Sequence, residues 1–268
     1  MAITSSQARK IVDQATREAE RDEHERAHSA SAVREATKRV EELSRRSRLQ
    51  RFVFENALTI VALAFFVVSM LGLVMAGLSA YNEDQRQHGE ATVSVVGYLT
   101  SGHFVEAIGE NWESAFLQMG VFVLLTRFLY QRGSSESKRI EEAEAVDQDP
   151  GEAWNDPKAP WPVRRGGMWL ALYRNSLSGV LLLMFALSVW LHAAGGAAKY
   201  NANQRAHGGG TVSTMEFMGT SEFWFESFQN WQSEFFSVGV LAVLTIWFRQ
   251  KGSPQSKPVA APTGDTGE

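Results

Sequence analysis

Two stretches of the chain carry apolar residues with no charge among them. Asn56 to Asn82 is an uncharged window of 27 residues, and Asn175 to Ala198 is one of 24. A bilayer core of ~30 Å takes ~20 helical residues, so each window predicts a membrane-spanning helix, about 56–80 and 175–198. A shorter pair follows them. Thirteen uncharged residues separate Glu113 from Arg127, and fourteen separate Glu234 from Arg249. Runs of that length span or re-enter. An aromatic approach precedes each: Phe104, Ile108, Trp112 and Phe116 recur every four residues, interleaved with Glu106, Glu110 and Glu113. In the second half the stretch is Phe223, Trp224, Phe225, Phe228, Trp231, Phe235 and Phe236. This pattern predicts a helix along the interface that then turns inward, with Trp112 and Trp231 as interfacial anchors. Spanning is favoured over re-entry, because Arg127 lies near enough to Arg132 to snorkel to the near side.

The two halves share one polar loop. Tyr81, Asn82, Gln85, Arg86, His88 and Gly89, followed by Thr92-Val93-Ser94, recur 119 positions later as Tyr200, Asn201, Gln204, Arg205, His207 and Gly208, followed by Thr211-Val212-Ser213. Without a gap, residues 51–138 and 170–257 are identical at 30 of 88 positions. Chance gives far fewer. Each unit contributes two spans, so both copies have the same orientation, and a pseudo-twofold axis along the membrane normal is expected to relate them. The expected fold is therefore all-α: four transmembrane helices in two tandem repeats, with an ancestral unit that formed a two-fold dimer.

Charge sets the expected topology. Fourteen basic residues lie near the proposed cytoplasmic ends: Arg45, Arg46, Arg48 and Arg51; Arg127, Arg132, Lys138 and Arg139; Arg164, Arg165 and Arg174; Arg249, Lys251 and Lys257. Only Arg86, Lys199 and Arg205 fall in the two outer loops. The positive-inside rule then places both termini in the cytoplasm. Residues 1–50 read as a charged cytoplasmic helical extension with a short seam at Val33, Ala36, Val40 and Leu43. The first apolar run follows this polar stretch, so it is not expected to be a cleaved signal peptide. Residues 139–169 form an acidic, then Pro/Trp-rich linker, and 258–268 a tail expected to be disordered. These charged segments dilute the apolar ones, which is why the mean hydropathy of −0.18 looks like that of a soluble protein.

The chain resembles a bacterial family of duplicated multi-pass membrane proteins that carries only a domain-of-unknown-function label. The resemblance runs from residue 51 to about 258. Its marks are the Tyr-Asn-x-x-Gln-Arg-x-His-Gly loop, Ser101-Gly102-His103-Phe104, Phe223 through Trp231, and Pro160-Trp161-Pro162-Val163-Arg164-Arg165-Gly166-Gly167. Gln131-Arg132-Gly133-Ser134 and Gln250-Lys251-Gly252-Ser253-Pro254 close the halves. The resemblance implies no activity.

On a helix continued past the membrane, Tyr81, Gln85 and His88 share a face, as do Tyr200, Gln204 and His207. Gly89 and Gly208 are the expected left-handed ends. Ser213 and Glu216 spell a capping box, reduced in the first copy to the Ser94 cap alone. Two uses of the loop compete. His88 and His207, joined by His103 or a glutamate, suit a divalent metal, and Arg86 with Arg205 suits an anion. The favoured alternative is that these side chains fasten each loop to its own backbone, because polar groups at a membrane edge need partners. Gly72-x-x-x-Ala76 and Ala193 to Ala198 offer small faces for close helix contact.

The absence of cysteine excludes disulfides, thiolate metal sites and thiol nucleophiles. No nucleotide-binding, Walker, Gly-x-Ser-x-Gly or His-Glu-x-x-His motif is present. Polar positions within the spans are few (Gln118, Arg127, His192, Glu234), and their counterparts Ser237, Ile246, Leu73 and Ala115 are not ionisable. This speaks against a symmetric ion pathway. The expected protein is a non-enzymatic assembly or envelope-associated module of the bacterial inner membrane, with no cofactor and no nucleic-acid partner. Its partners would be the bilayer and another membrane protein or itself. A small channel or transporter between the halves ranks second, and a metal-dependent membrane enzyme third.

Overall fold

The computed structural model describes residues 33, 34, 37, 38, 46–140 and 143–267. Most of the 1–50 extension, including Ala36, Val40 and Leu43 of its seam, lies outside them. The described residues are helical and include no strand. From Arg48 onward the helices are α1 (Arg48–Glu55), α2 (Ala57–Gln87), α3 (Val95–Leu99), α4 (Gly102–Phe128), α5 (Trp161–Arg165), α6 (Gly167–Tyr173), α7 (Ser176–Ala206), α8 (Thr214–Met218) and α9 (Ser221–Trp247). Helices α2 and α7 are long and apolar enough to cross a membrane. The bounds of α2, α3 and α4 recur in α7, α8 and α9 at the same 119-residue offset as the sequence motifs. The aromatic approaches are not separate helices. Each is the first half of a continuous α4 or α9 of 27 residues.

The chain divides into two compact units, one ending at Leu73 and one beginning at Val74. In the first, Ser47 and Gln50 form a capping box that starts α1, and the Asn56 side chain donates to the Phe52 carbonyl where α1 gives way to α2. The apolar side chains that follow are open: Leu58 is 86% exposed and Phe65 71%. An apolar surface that continuous needs a covering of lipid or protein.

In the second unit α4 runs antiparallel along α7. Three glycines set the distance. A Cβ on Gly102 would strike the backbone at Lys199, one on Gly109 the backbone at His192, and one on Gly195 the backbone at Glu106. Further along, a Cβ on Gly120 would meet Leu181 and Leu182 only at ordinary van der Waals range. Small residues let two backbones approach this closely. The stretch Ala193 to Ala198 supplies the α7 side of the contact; Gly72 meets nothing within 4 Å. Helix α9 packs on α4 and on α8, α8 packs on α7, and Ala193, Ala197, Phe217 and Phe223 form a buried apolar cluster.

The loops after α2 and α7 are built alike. Asn82 donates to the Val93 carbonyl at 3.0 Å and accepts from the Val93 N–H at 2.7 Å, and Asn201 does the same with Val212 at 2.8 and 2.7 Å. Gly89 and Gly208 have φ of 73° and 72°. Ser94 and Ser213 then cap α3 and α8, and Glu216 returns a bond to the Ser213 N–H, which holds its carboxyl below the usual range. Replacing Asn201 by alanine removes both arms of the clamp and leaves Val212 without partners. A loss of about 1–3 kcal/mol follows. It should appear as faster proteolysis between Gly208 and Thr214 in Asn201→Ala than in wild type. Equal rates would show that the clamp contributes nothing to the loop.

At the opposite ends of α4 and α9 the two Gln-x-Gly-Ser turns also match. The Gln131 N–H donates to Ser137 and the Gln250 N–H to Ser256. Residues 258–267, for which composition predicts a disordered tail, are instead folded back. Lys257 is 1% exposed, and its ammonium donates to the carbonyls of Thr263 and Asp265; the Gly267 N–H donates to the Ser134 carbonyl. The reason is physical. A buried ammonium demands acceptors, and a tail rich in proline turns supplies them.

Candidate functional site

The repeated loop motif converges at the loop end of the second unit. His88 and His207 face each other with ring centroids 6.3 Å apart. Each has Nδ1 2.9 Å from the carbonyl four residues earlier, Asp84 for His88 and Asn203 for His207. A carbonyl only accepts, so each ring carries its hydrogen on Nδ1. Among the described residues neither belongs to a group of three metal-ligating side chains. Arg86 pairs with Glu83 at 3.2 Å, Arg205 is exposed, and Gln204 donates to the Tyr200 hydroxyl at 2.6 Å. Tyr81 packs on Tyr98 and His103, and Tyr200 on Phe217. Tyr81, His88, His103, Lys199 and His207 line a cleft of about 420 Å³.

Behind Lys199 lies a second polar assembly, buried between α4, α7 and α9. His192 is 0% exposed and stands between two carboxylates, Nδ1 2.9 Å from Glu113 Oε2 and Nε2 3.2 Å from Glu226 Oε2. Phe223 stacks on its ring at 4.6 Å. The other oxygen of Glu113 accepts from the Trp231 indole N–H at 2.8 Å. Lys199 sits 2.7 Å from Glu106 and 3.7 Å from Glu226. Glu110 belongs to the same group: one ligand atom from each of Glu110, His192 and Glu226 lies within 4.8 Å of the others.

Each position follows from local structure. Glu106, Glu110 and Glu113 share a face of α4 by their four- and three-residue spacing. His192 and Lys199 are two turns apart on α7, and the glycine contacts bring the two faces to bonding range. The carboxylates compete for few cations. Four glutamates (Glu106, Glu110, Glu113 and Glu226) face one histidine and one lysine, so an imidazolium bonded on both nitrogens is the form that satisfies both neighbours.

The region 49–268 matches the family described as a domain of unknown function, DUF6766. The chain belongs to this family. No curated protein and no solved structure matches it. The DUF6766 match spans both halves of the chain.

This DUF6766 chain separates its two tryptophans. Trp112 is exposed. Trp231, at the corresponding position, is half-buried and spends its N–H on Glu113. In the sequence His192 lacks an ionisable counterpart, and the three α4 glutamates belong to the aromatic approach. Neither Lys199 nor Glu226 stands out there as a site residue. The overlooked signal was asymmetry. Glu106, Glu113, His192, Lys199 and Glu226 stand where the other half has Phe225, Gln232, Leu73, Ala80 and Ala107. Charge present in one half alone marks a contact made once.

Proposed function

We propose that this protein is a four-span integral membrane module without enzymatic activity, with both termini in the cytoplasm of a bacterial cell and its paired loops outside. What carries the reading is how its buried charge is used. Glu113–His192–Glu226 and Glu106–Lys199 join the first half to the second, as a fastener does, and further along the helices buried Gly120 faces the apolar side chains of Leu181 and Leu182. A polar path along α4 and α7 stops at that apolar contact. The clamped loops are then the surface offered to a partner, a second copy of the chain or another membrane protein.

Four spans are supported by the antiparallel pairing. Helix α4 touches α7 from Gly102 to Gly120. If α7 crosses the bilayer, α4 lies in it alongside. A helix of 27 residues is about 40 Å long at 1.5 Å per residue, enough for a ~30 Å core. Helix α9 has the same length, packs on α4 and reaches α7 through Phe223 and Glu226, which meet His192. Topology reporters at Asp149, at the C-terminus and at Gly89 test the arrangement. The first two are expected inside and the third outside; an outside signal at Asp149 overturns it.

A second reading draws on the same residues. Lys199 lines the cleft and contacts Glu106 and Glu226, so charged groups lead from the loop end into the bundle. That is how the entrance of a cation or proton pathway is built. The Gly120 contact places it behind the module reading.

A further inference from the structure

We propose that Glu110, His192 and Glu226 form a binding site for one divalent transition-metal ion. This goes beyond the module reading and does not rest on it. Three observations carry the site.

The first is the ligand set itself. An imidazole nitrogen and two carboxylates from three different helices lie within 4.8 Å of one another. An ion bonded at about 2.0–2.2 Å holds its donors up to about 4.4 Å apart, so closure takes a few tenths of an ångström. Glu110 and Glu226 are only partly buried and have that freedom. One imidazole with carboxylate oxygens suits a borderline or hard transition-metal cation such as Zn²⁺ or Mn²⁺, and not a soft one.

The second is the support around His192. Its Nδ1 is taken by Glu113, whose other oxygen is held by the Trp231 N–H. A metal-binding histidine is ordinarily oriented this way, with the nitrogen away from the metal donating to a fixed carboxylate. Nε2 is thereby the nitrogen turned toward Glu226.

The third is charge left over. Glu106, Glu110 and Glu113 face the site from α4, His192 and Lys199 from α7, and Glu226 from α9, with Glu222 also acting on Lys199. Carboxylates outnumber cations by two even without Glu222. Moreover, Glu106 is 3% exposed and its Oε1 has no hydrogen-bond partner, beside Gly196, one helical turn from His192. An added cation offsets this excess. Binding releases one proton, as the imidazolium gives up its Nε2 hydrogen and that lone pair goes to the metal.

The test uses the full chain in detergent, stripped with a chelator and titrated with Zn²⁺ or Mn²⁺ alone. One equivalent per chain is expected for wild type. Glu110→Gln and Glu226→Gln are each expected to weaken binding at least tenfold. Glu110 makes no bond to the His192–Glu113 pair, so Glu110→Gln keeps the fold, which gel filtration and helical circular dichroism check. The double variant His88→Ala/His207→Ala is expected to bind like wild type. The proposal is overturned by binding well below one equivalent, by full affinity in Glu110→Gln, or by loss of binding in the His88/His207 variant instead.

Discussion

His192→Leu, which installs the residue found at the corresponding position 73, is expected to destabilise the protein by about 3–5 kcal/mol, the usual cost of breaking a buried ion pair from one side. The variant leaves Glu113 and Glu226 facing each other across an apolar side chain. Glu113 keeps the Trp231 N–H, but Glu226 keeps only a 3.7 Å contact to Lys199. The triple variant His192→Leu/Glu113→Gln/Glu226→Gln removes the stranded charges together with their partner. It is expected to recover a large part of the loss, because a buried pair replaced as a unit is close to neutral. Thermal or mixed-micelle unfolding of detergent-purified protein measures both. Equal stabilities for wild type and His192→Leu would show that the assembly does not hold the halves together.

Gly195→Ala and Gly179→Ala are expected to act in opposite directions, although the substitution is the same and both sites lie in α7. A methyl at 195 meets the backbone of Glu106, and one at 109 meets the backbone of His192. Backbone cannot rotate away as a side chain does, so α4 and α7 must separate. The expected cost reaches or exceeds the about 1–3 kcal/mol typical of overpacking, because the separation also stretches the Glu113–His192 and Glu106–Lys199 contacts. At Gly179 nothing lies within 4 Å. There alanine restricts the unfolded chain and favours the helix, a gain of about 0.4–1 kcal/mol. The same unfolding measurement reads both signs. A Gly195→Ala protein as stable as Gly179→Ala would contradict the close packing of α4 on α7.

The loops show how far pattern alone reaches. The capping box at Ser213, the single cap at Ser94 and the left-handed glycines at 89 and 208 are all spelled by residues within a few positions of one another. Their physics is local, and the structure has them where the pattern puts them. The clamp from Asn82 to Val93 spans eleven residues and was legible only as a motif seen twice. The continuity of α4 was not legible, since an amphipathic approach and an apolar run look like two segments until one continuous ladder joins them. The folded tail was hidden for a related reason: its partner, Lys257, is buried by contacts that composition cannot report.

By itself the sequence determined the helical class, the two uncharged helices, the 119-residue repeat and the chemistry of each cap, because periodicity, uncharged length and capping depend on near neighbours. It did not determine which helices touch. That choice belonged to the tertiary structure, which laid α4 on α7 at three glycines and so brought Glu113 and His192, 79 positions apart, to 2.9 Å. A carboxylate or imidazole on an isolated helix has only its spacing to declare. Its partners, and with them its burial and its use, appear when another backbone comes within reach.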